Sequence, residues 1–381
     1  MTVGIICEYN PLHLGHAAQI ARVRKTFGEE TAIVCAMSGN FVQRGAPAAF
    51  SKDLRAKAAV LAGADLVVEL PITWALSSAE GFAAGGVAVL ASLCDTLCFG
   101  AETADKEALL GTARALLSEE FPPLLRTLLN TGISFPAARA QALDSMGLDG
   151  ALLSSPNNIL AVEYCKAIAS QGADMDIFPI FRPGSYHAQE PDPHAPSATA
   201  LRRMLEVGEP WQDYVPASAA QVFQTAPFHT LAAGERAMLA RLRTMTDDDF
   251  QALPFGSEGL WRKFMHACRR EPTLEAIRTA TTSTRYTRSR LDRLALCAFL
   301  GITGDVMAQT PPYTRVLAFS DRGRSLLKAA KSQGTYINAG ESFPHPYWDL
   351  DARATDLYAL FATNAPDPPG MEAKYRVFYK K

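Results

Sequence analysis

Val3-Gly-Ile-Ile-Cys-Glu-Tyr-Asn-Pro-Leu-His-Leu-Gly-His16 is the stretch whose reading decides the fold. Residues 3–7 form a brief, nearly continuous apolar run, the pattern of a strand buried on both faces. Pro11 stops that strand, and residues 13–27 then repeat apolar positions at helical spacing. A strand, a turn and H-x-G-H at a helix start put His13 and His16 on one face of the first helical turn. The unsatisfied N–H groups and positive dipole end there attract phosphate. Gly15 leaves room for a nucleotide to lie against the backbone. Two imidazoles add donors that can stabilise charge developing on an α-phosphate and its departing pyrophosphate. The bland alternative is one capping and one packing histidine. With only seven histidines in the chain, two on the turn where a doubly wound domain binds phosphates favour the phosphate site.

Working outward, apolar runs at 31–37, 65–70, 93–99 and 176–181 read as further buried strands. Helical patterns at 52–62, 77–92, 106–119, 137–146 and 159–171 alternate with them. The alternation predicts an α/β fold, a Rossmann-like doubly wound parallel sheet. A polar, proline-bearing stretch at 183–196 follows, and then Ser197 caps a new helix. Beyond about 205–225 the pattern is mostly helical, which predicts a second, mainly helical domain: 1–210 for the first, 211–381 for the second. The tail after Pro366 is expected to fray.

The chain has 381 residues, 48% hydrophobic and 20% charged, an ordinary globular composition with room for about two cores. No run approaches the roughly 18 apolar residues of a bilayer span, so no membrane role is expected. The N-terminus meets Glu8 without a basic segment, which points to the cytoplasm rather than secretion. The seven cysteines form no CxxC pair and sit mostly in apolar runs, the pattern of reduced buried thiols. A net charge of −2 hides an asymmetry. Residues 1–200 carry 13 Lys and Arg against 20 Asp and Glu, and residues 201–381 carry 24 against 19, so the halves face different partners.

Other candidates lie where the same sheet edge should be. Ser38-Gly-Asn-Phe-Val-Gln-Arg-Gly45 after the second strand is either an ordinary connection or, as its planar donors favour, a polar loop with Arg44 as the charge partner for an acid or phosphate. Lys52, Arg55 and Lys57 open the next helix, facing either an anion or solvent. Of Asn157 and Asn158 one should cap a helix and the other remain free for adenine or ribose. Arg182 ends a strand at the carboxyl edge, where it suits a phosphate, and His187 follows as either an ordinary surface histidine or part of a loop that closes over a nucleotide. In the second half Arg285, Arg288, Arg290 and Arg293 fall within nine residues around Tyr286, a combination suited to RNA phosphates and stacking. Should that run be only a solvated face, Arg315, Arg322 and Arg324 are the next basic group.

The stretch Ile6 to His16 resembles the HxGH signature of the nucleotidylyltransferase superfamily, which includes class I aminoacyl-tRNA synthetases. More closely, the chain is similar to the bacterial tRNA(Met) cytidine acetate ligase family. Residues carrying that likeness are Met37–Ala48, Gly63–Pro71, Phe99-Gly-Ala-Glu102, Pro156-Asn-Asn-Ile-Leu160, Arg182 with Tyr186-His187, Ser197-Ala-Thr199, Ser257-Glu-Gly259, Arg315-Val-Leu317 with Gly323-Arg324, and Arg353-Ala-Thr-Asp356. The resemblance implies an ATP-dependent ligase that makes acetyl-adenylate from acetate and passes the acetyl group to N4 of the wobble cytidine of elongator tRNA-Met. It implies ATP contacts at Ile6, Cys7, Glu8, Tyr9, Asn10, Pro11, Leu12, His13, Leu14, Gly15, His16, Gly100, Asn157 and Arg182, with His13, His16 and Arg44 serving catalysis and Arg285, Arg288, Arg290 and Arg293 the tRNA. Ala101 stands where the family usually has serine, so a backbone contact at Gly100 survives and a hydroxyl contact would not. ATP chemistry commonly brings Mg²⁺, but no carboxylate cluster announces its ligands. Two rivals stay open: a nucleotidylyltransferase adenylating a small phosphate ester in cofactor synthesis, and a non-catalytic RNA-binding protein. The residues set no oligomeric state.

Overall fold

The computed structural model describes residues 1–182, 197–283 and 285–381. Ten strands are present in it: β1 (Thr2–Cys7), β2 (Ala32–Ser38), β3 (Phe41–Val42), β4 (Ala46–Pro47), β5 (Leu66–Leu70), β6 (Thr96–Ala101), β7 (Asp176–Phe181), β8 (Thr314–Ser320), β9 (Tyr336–Asn338) and β10 (Phe378–Lys380). The large sheet runs β10-β8-β5-β2-β1-β6-β7, with β9 also on β8, and β3 pairs β4 in a separate hairpin. The five strands from β5 to β7 in that order are all parallel. From β1 the chain winds outward through β2 and β5, then returns to β6 on the other side. The order therefore reverses between β1 and β6, and the crevice outside their carboxyl ends is where open α/β sheets bind ligands.

Side-chain alternation accounts for burial on both faces. Val3, Ile5, Ile33, Cys35 and Val67 face a layer holding Ile20 and Val23 of the Leu14–Phe27 helix and Ala56 and Val60 of the Lys52–Leu61 helix. Val34, Leu66, Val68, Leu97 and Phe99 face the opposite layer, built from the Ala79–Leu90, Lys106–Leu117 and Pro156–Gln171 helices. All seven cysteines are free and buried.

Residues 211–381 are mainly helical and hold a further core around Phe250, Phe264, Leu291, Leu294 and Phe361. They also supply β8, β9 and β10 to the sheet, β8 running antiparallel to β5. β9 and β10 escaped the sequence reading because each is only three residues long and gives no measurable period; the seven-residue β8 was missed inside a stretch read as mostly helical. The expectation for the tail is corrected as well. Beyond Pro366 the chain does not fray: Glu372 is buried in a cluster with Lys52 and Arg315, and β10 pairs with β8. In the same cluster Arg315 meets Glu69 at 3.2 Å and Asp351 at 2.9 Å. It is 1% exposed, so Arg315 is an internal brace and not part of a basic surface. The cluster joins the Lys52–Leu61 helix after β4, the end of β5, β8, the Pro346–Tyr358 helix and the tail, and a charge this deep is tolerable only when paired.

The strand expected at 93–99 begins at Thr96, because Leu93 and Cys94 donate their N–H groups to Leu90 O and close the preceding helix.

Candidate active site

β1 ends at Cys7, and its continuation lies at the β1/β6 switch point. Glu8 accepts at Oε1 from Gln43 N at 2.9 Å, which ties the β3–β4 hairpin to the site. Tyr9, buried, has φ +44° and points its hydroxyl at Cys35 Sγ, 3.5 Å away. Asn10 accepts from Ala49 N at 2.7 Å through Oδ1, and the Asn10–Pro11 peptide is cis. Ile6, Cys7, Pro11 and Leu12 are packed inward or largely so. Leu14 is half-buried as the first residue of the helix.

His13 is the N-cap of that helix. Its Nδ1 accepts from Gly15 N at 3.1 Å, and His16 Nδ1 reaches back to accept from His13 N at 3.3 Å. The two rings stack with centroids 3.7 Å apart, and Tyr9 meets the His16 ring edge-on at 4.9 Å. This arrangement combines the two roles that the sequence reading opposed, since His13 caps the helix through Nδ1 and keeps Nε2 unspent at the switch point.

The capping pattern fixes the tautomers. An Nδ1 that accepts carries no proton, so each neutral ring holds its hydrogen on Nε2. Burial holds His13 at a pKa of about 3, helped by the positive charges of Arg182 and Arg202. Burial, His13 and Arg182 likewise keep His16 well below its ordinary value. Both rings are therefore neutral Nε2–H donors at physiological pH. His13 Nε2 is buried and finds no partner among the described residues. An orphaned buried donor at a helix N-terminus beside arginine suits an oxyanion.

Arg182 leaves β7 with its N–H bonded to Ala101 O at 2.9 Å. Gly100, on the neighbouring strand β6, lies against it: a Cβ there would sit 3.5 Å from Arg182 Cδ. Arg202 was not singled out from the sequence. From the Ala198–Val207 helix it donates to Asn10 O at 2.7 Å and to Thr199 Oγ1 at 3.1 Å. Its spacing of three from Thr199 was the available signal. Tyr186 and His187 lie outside the described residues.

Three expectations change. Asn157 and Asn158 do not cap their helix; the carboxylate of Glu102 does so from the neighbouring strand end. Lys52 and Arg55 face neither an external anion nor solvent. Lys52 belongs to the buried ionic cluster, while Arg55 donates to the carbonyls of Phe50, Glu8, Ser38 and Gly39 and so clamps the ends of β1 and β2 together. The basic cluster is not one open face either. Arg285 and Arg288 are 63% and 59% exposed and paired with Glu258 and Glu275. Arg290 is spent on Phe255 O and Ser257 Oγ, both at 2.9 Å. Arg293 is buried over the Phe255 ring, with Nη1 directed at Gln43 O.

Arg44 is exposed in the turn between β3 and β4. The next residue, Gly45, has φ +78° and packs on the Arg288–Leu300 helix so closely that a Cβ would lie 2.4 Å from Arg293 N. Only glycine fits, and the hairpin bearing Arg44 is seated directly on the second half. Among the described residues no group of three or more His, Cys, Asp or Glu is arranged to hold a metal ion, and no helix is long and apolar enough to cross a membrane.

A mostly parallel sheet with two stacked histidines at its switch point defines a HIGH-type nucleotidyl transferase, and the sequence matches the HIGH Nucleotidyl Transferase family over residues 1–370. The tRNA(Met) cytidine acetate ligase of Alkaliphilus metalliredigens is 35% identical, with 95% of this chain and 94% of that protein covered. That of Syntrophotalea carbinolica is 37% identical over 87% and 82%. The crystal structure of Thermotoga maritima TmcAL in its apo form superposes over all of both chains with a TM-score of 0.90 at 27% identity, and the same protein bound with alpha-thio ATP gives 0.87. The chain belongs to the tRNA(Met) cytidine acetate ligase family.

Proposed function

We propose that the protein uses ATP to activate acetate as acetyl-adenylate and transfers the acetyl group to N4 of the wobble cytidine of elongator tRNA-Met. The observation that carries this reading is the stacked His13–His16 pair, with both Nε2–H groups available at the switch point beside Arg182. In the first step an acetate oxygen attacks the α-phosphorus, the α–β phosphoanhydride bond breaks, and pyrophosphate leaves with the electron pair. Charge grows on non-bridging oxygens and on the leaving group. Neutral imidazole donors that are already oriented stabilise that charge without reorganising. Arg182 and Arg202 add fixed positive charge, and Gly100 keeps the β6 edge low enough for the nucleotide to approach. In the second step the cytidine amine attacks the acetyl carbonyl, a C–N bond forms, and AMP departs as the amine loses a proton. No protein nucleophile is required, so the protein contributes position and electrostatics.

The division of labour follows the two segments, 1–210 for adenylation and 211–381 for tRNA. Arg285 and Arg288 are the surface cations suited to the tRNA backbone, while Arg290 and Arg293 hold the loop around Phe255 and the hairpin seat. Arg44, at the turn of that hairpin, is placed between the two segments to meet the acetate or the incoming nucleotide. A tRNA substrate agrees with a cytoplasmic location. The test is exchange of labelled pyrophosphate into ATP without tRNA, across small carboxylic acids. Acetate-dependent exchange is expected. Exchange that requires a phosphate ester instead would refute the ligase reading in favour of cofactor synthesis.

A further inference from the structure

The turn after β6 and the start of the Pro156–Gln171 helix form one hydrogen-bonded unit. Glu102 Oε2 accepts from Asn158 N at 2.9 Å, and Oε1 accepts from Asn157 Nδ2 at 2.8 Å and from Asn157 N at 3.4 Å. Asn158 closes the unit from the other side, accepting from Thr103 N at 2.9 Å and donating to Thr103 Oγ1 at 3.1 Å. Ser155, the formal N-cap, makes no side-chain cap bond. A carboxylate placed on these N–H groups takes over the capping and satisfies the positive end of the helix, so that end has no demand for a phosphate.

The bonding also settles which way the Asn157 amide faces. An ionised carboxylate only accepts, so the amide NH₂ must point at Glu102 and Oδ1 must point away. Asn157 Oδ1 accepts nothing from the described residues, and the side chain is half-buried. An oriented carbonyl oxygen repels phosphate oxygens and attracts a donor. On ATP the donors are the exocyclic amine of adenine and the ribose hydroxyls.

We infer that Glu102 is a positioning residue for the nucleoside: it caps the Pro156–Gln171 helix and holds the Asn157 amide so that Oδ1 accepts from an N–H or O–H donor on the nucleoside of ATP. The inference rests on the assignment of Asn157 to the nucleotide site. It separates the site into a nucleoside end, held by neutral acceptor geometry at β6, and a triphosphate end, held by imidazole and guanidinium at β1 and β7.

The test compares wild type, Glu102→Gln and Asn157→Ala by equilibrium binding and pyrophosphate exchange. The nucleotides are ATP, 2′-deoxy-ATP, 3′-deoxy-ATP and purine riboside triphosphate, which lacks the amine. Wild type should bind one analogue about tenfold or more weakly than ATP, as loss of one partner to an oriented acceptor does. The analogue penalised identifies the donor as ribose or base. In Glu102→Gln the glutamine amide opposes one of the N–H groups, so ATP binding should weaken by about tenfold and the penalty against that analogue should vanish. General loss of packing would weaken ATP and analogue equally and leave their ratio intact. Asn157→Ala keeps the Glu102 bond to Asn158 N, so it reads the same contact even where Glu102→Gln folds poorly. Wild-type discrimination retained in either variant overturns the inference, as does a wild type that binds every analogue as it binds ATP. A wild type that binds no ATP would instead refute the nucleotide assignment beneath it.

Discussion

Replacing His13 with asparagine and with glutamine separates the two roles that the structure gives this side chain. Nδ1 caps the helix by accepting from Gly15 N, and Nε2 is the orphaned donor. Asparagine places a carbonyl oxygen near the Nδ1 position and is among the best N-caps, so His13→Asn should keep the helix start to within about 1 kcal/mol. It has nothing at the Nε2 position. Losing one transition-state donor typically costs about 10²–10³ in rate, and acetate-dependent pyrophosphate exchange should fall by that factor. Glutamine carries an amide nitrogen out to roughly the Nε2 position but gives up the short cap. His13→Gln should therefore retain more exchange than His13→Asn while melting earlier, by about 0.5–2 kcal/mol of cap energy. His13→Ala loses both. Exchange would be measured at saturating ATP and acetate, and folding by thermal and urea denaturation of the same preparations. The reasoning is refuted if His13→Asn exchanges pyrophosphate at near the wild-type rate, or if activity across the three variants simply follows stability.

Acid should destabilise the fold earlier than its carboxylates alone would. His13 and His229 are held at about 3 and about 4, mainly by burial, and His16 is also lowered. Their folded values lie below the unfolded value near 6.5, so their contribution is complete above pH 6.5 and is lost as pH falls from there, at up to about 1.4 kcal/mol per pH unit for each ring. A urea midpoint that stays constant between pH 7 and pH 5 would contradict this. Arg182→Lys should raise the KM for ATP without altering tRNA affinity, because an ammonium does not reproduce a forked contact; ATP binding unchanged in Arg182→Ala would remove this residue from the site. Neutralising Arg285 and Arg288 together should weaken tRNA binding and reduce its salt dependence by about one log-log unit for each phosphate no longer neutralised, with pyrophosphate exchange intact. Wild-type tRNA binding by that double variant at several salt concentrations would mean that the tRNA surface lies elsewhere.

The opening strand, the H-x-G-H turn and the alternation of strands with helices that makes a parallel sheet were legible because each is a local pattern. A buried strand is a short apolar run, and a helix start is a cap followed by period 3.6. Cross-chain partnership has no such signature. The sequence shows Lys52, Arg55 and Arg315 only as positive charges, and a positive charge reads as solvated until its partners are known. Tertiary structure decided that Arg55 clamps four carbonyls and that Lys52 and Arg315 meet carboxylates from residues 69, 351 and 372. Glu102 is a further case. Its place in the F-G-A-E turn was visible, but its capping of a helix that starts more than fifty residues later depends on β6 and that helix being brought side by side. The tautomers of His13 and His16 lie between these extremes. Their spacing of three made the reciprocal cap possible, while burial beside Arg182 and Arg202 made the rings neutral. The sequence determined which groups could do the chemistry; the packing decided which of them remained free to do it, because a hydrogen-bonding group already satisfied by its own protein is no longer available to a substrate.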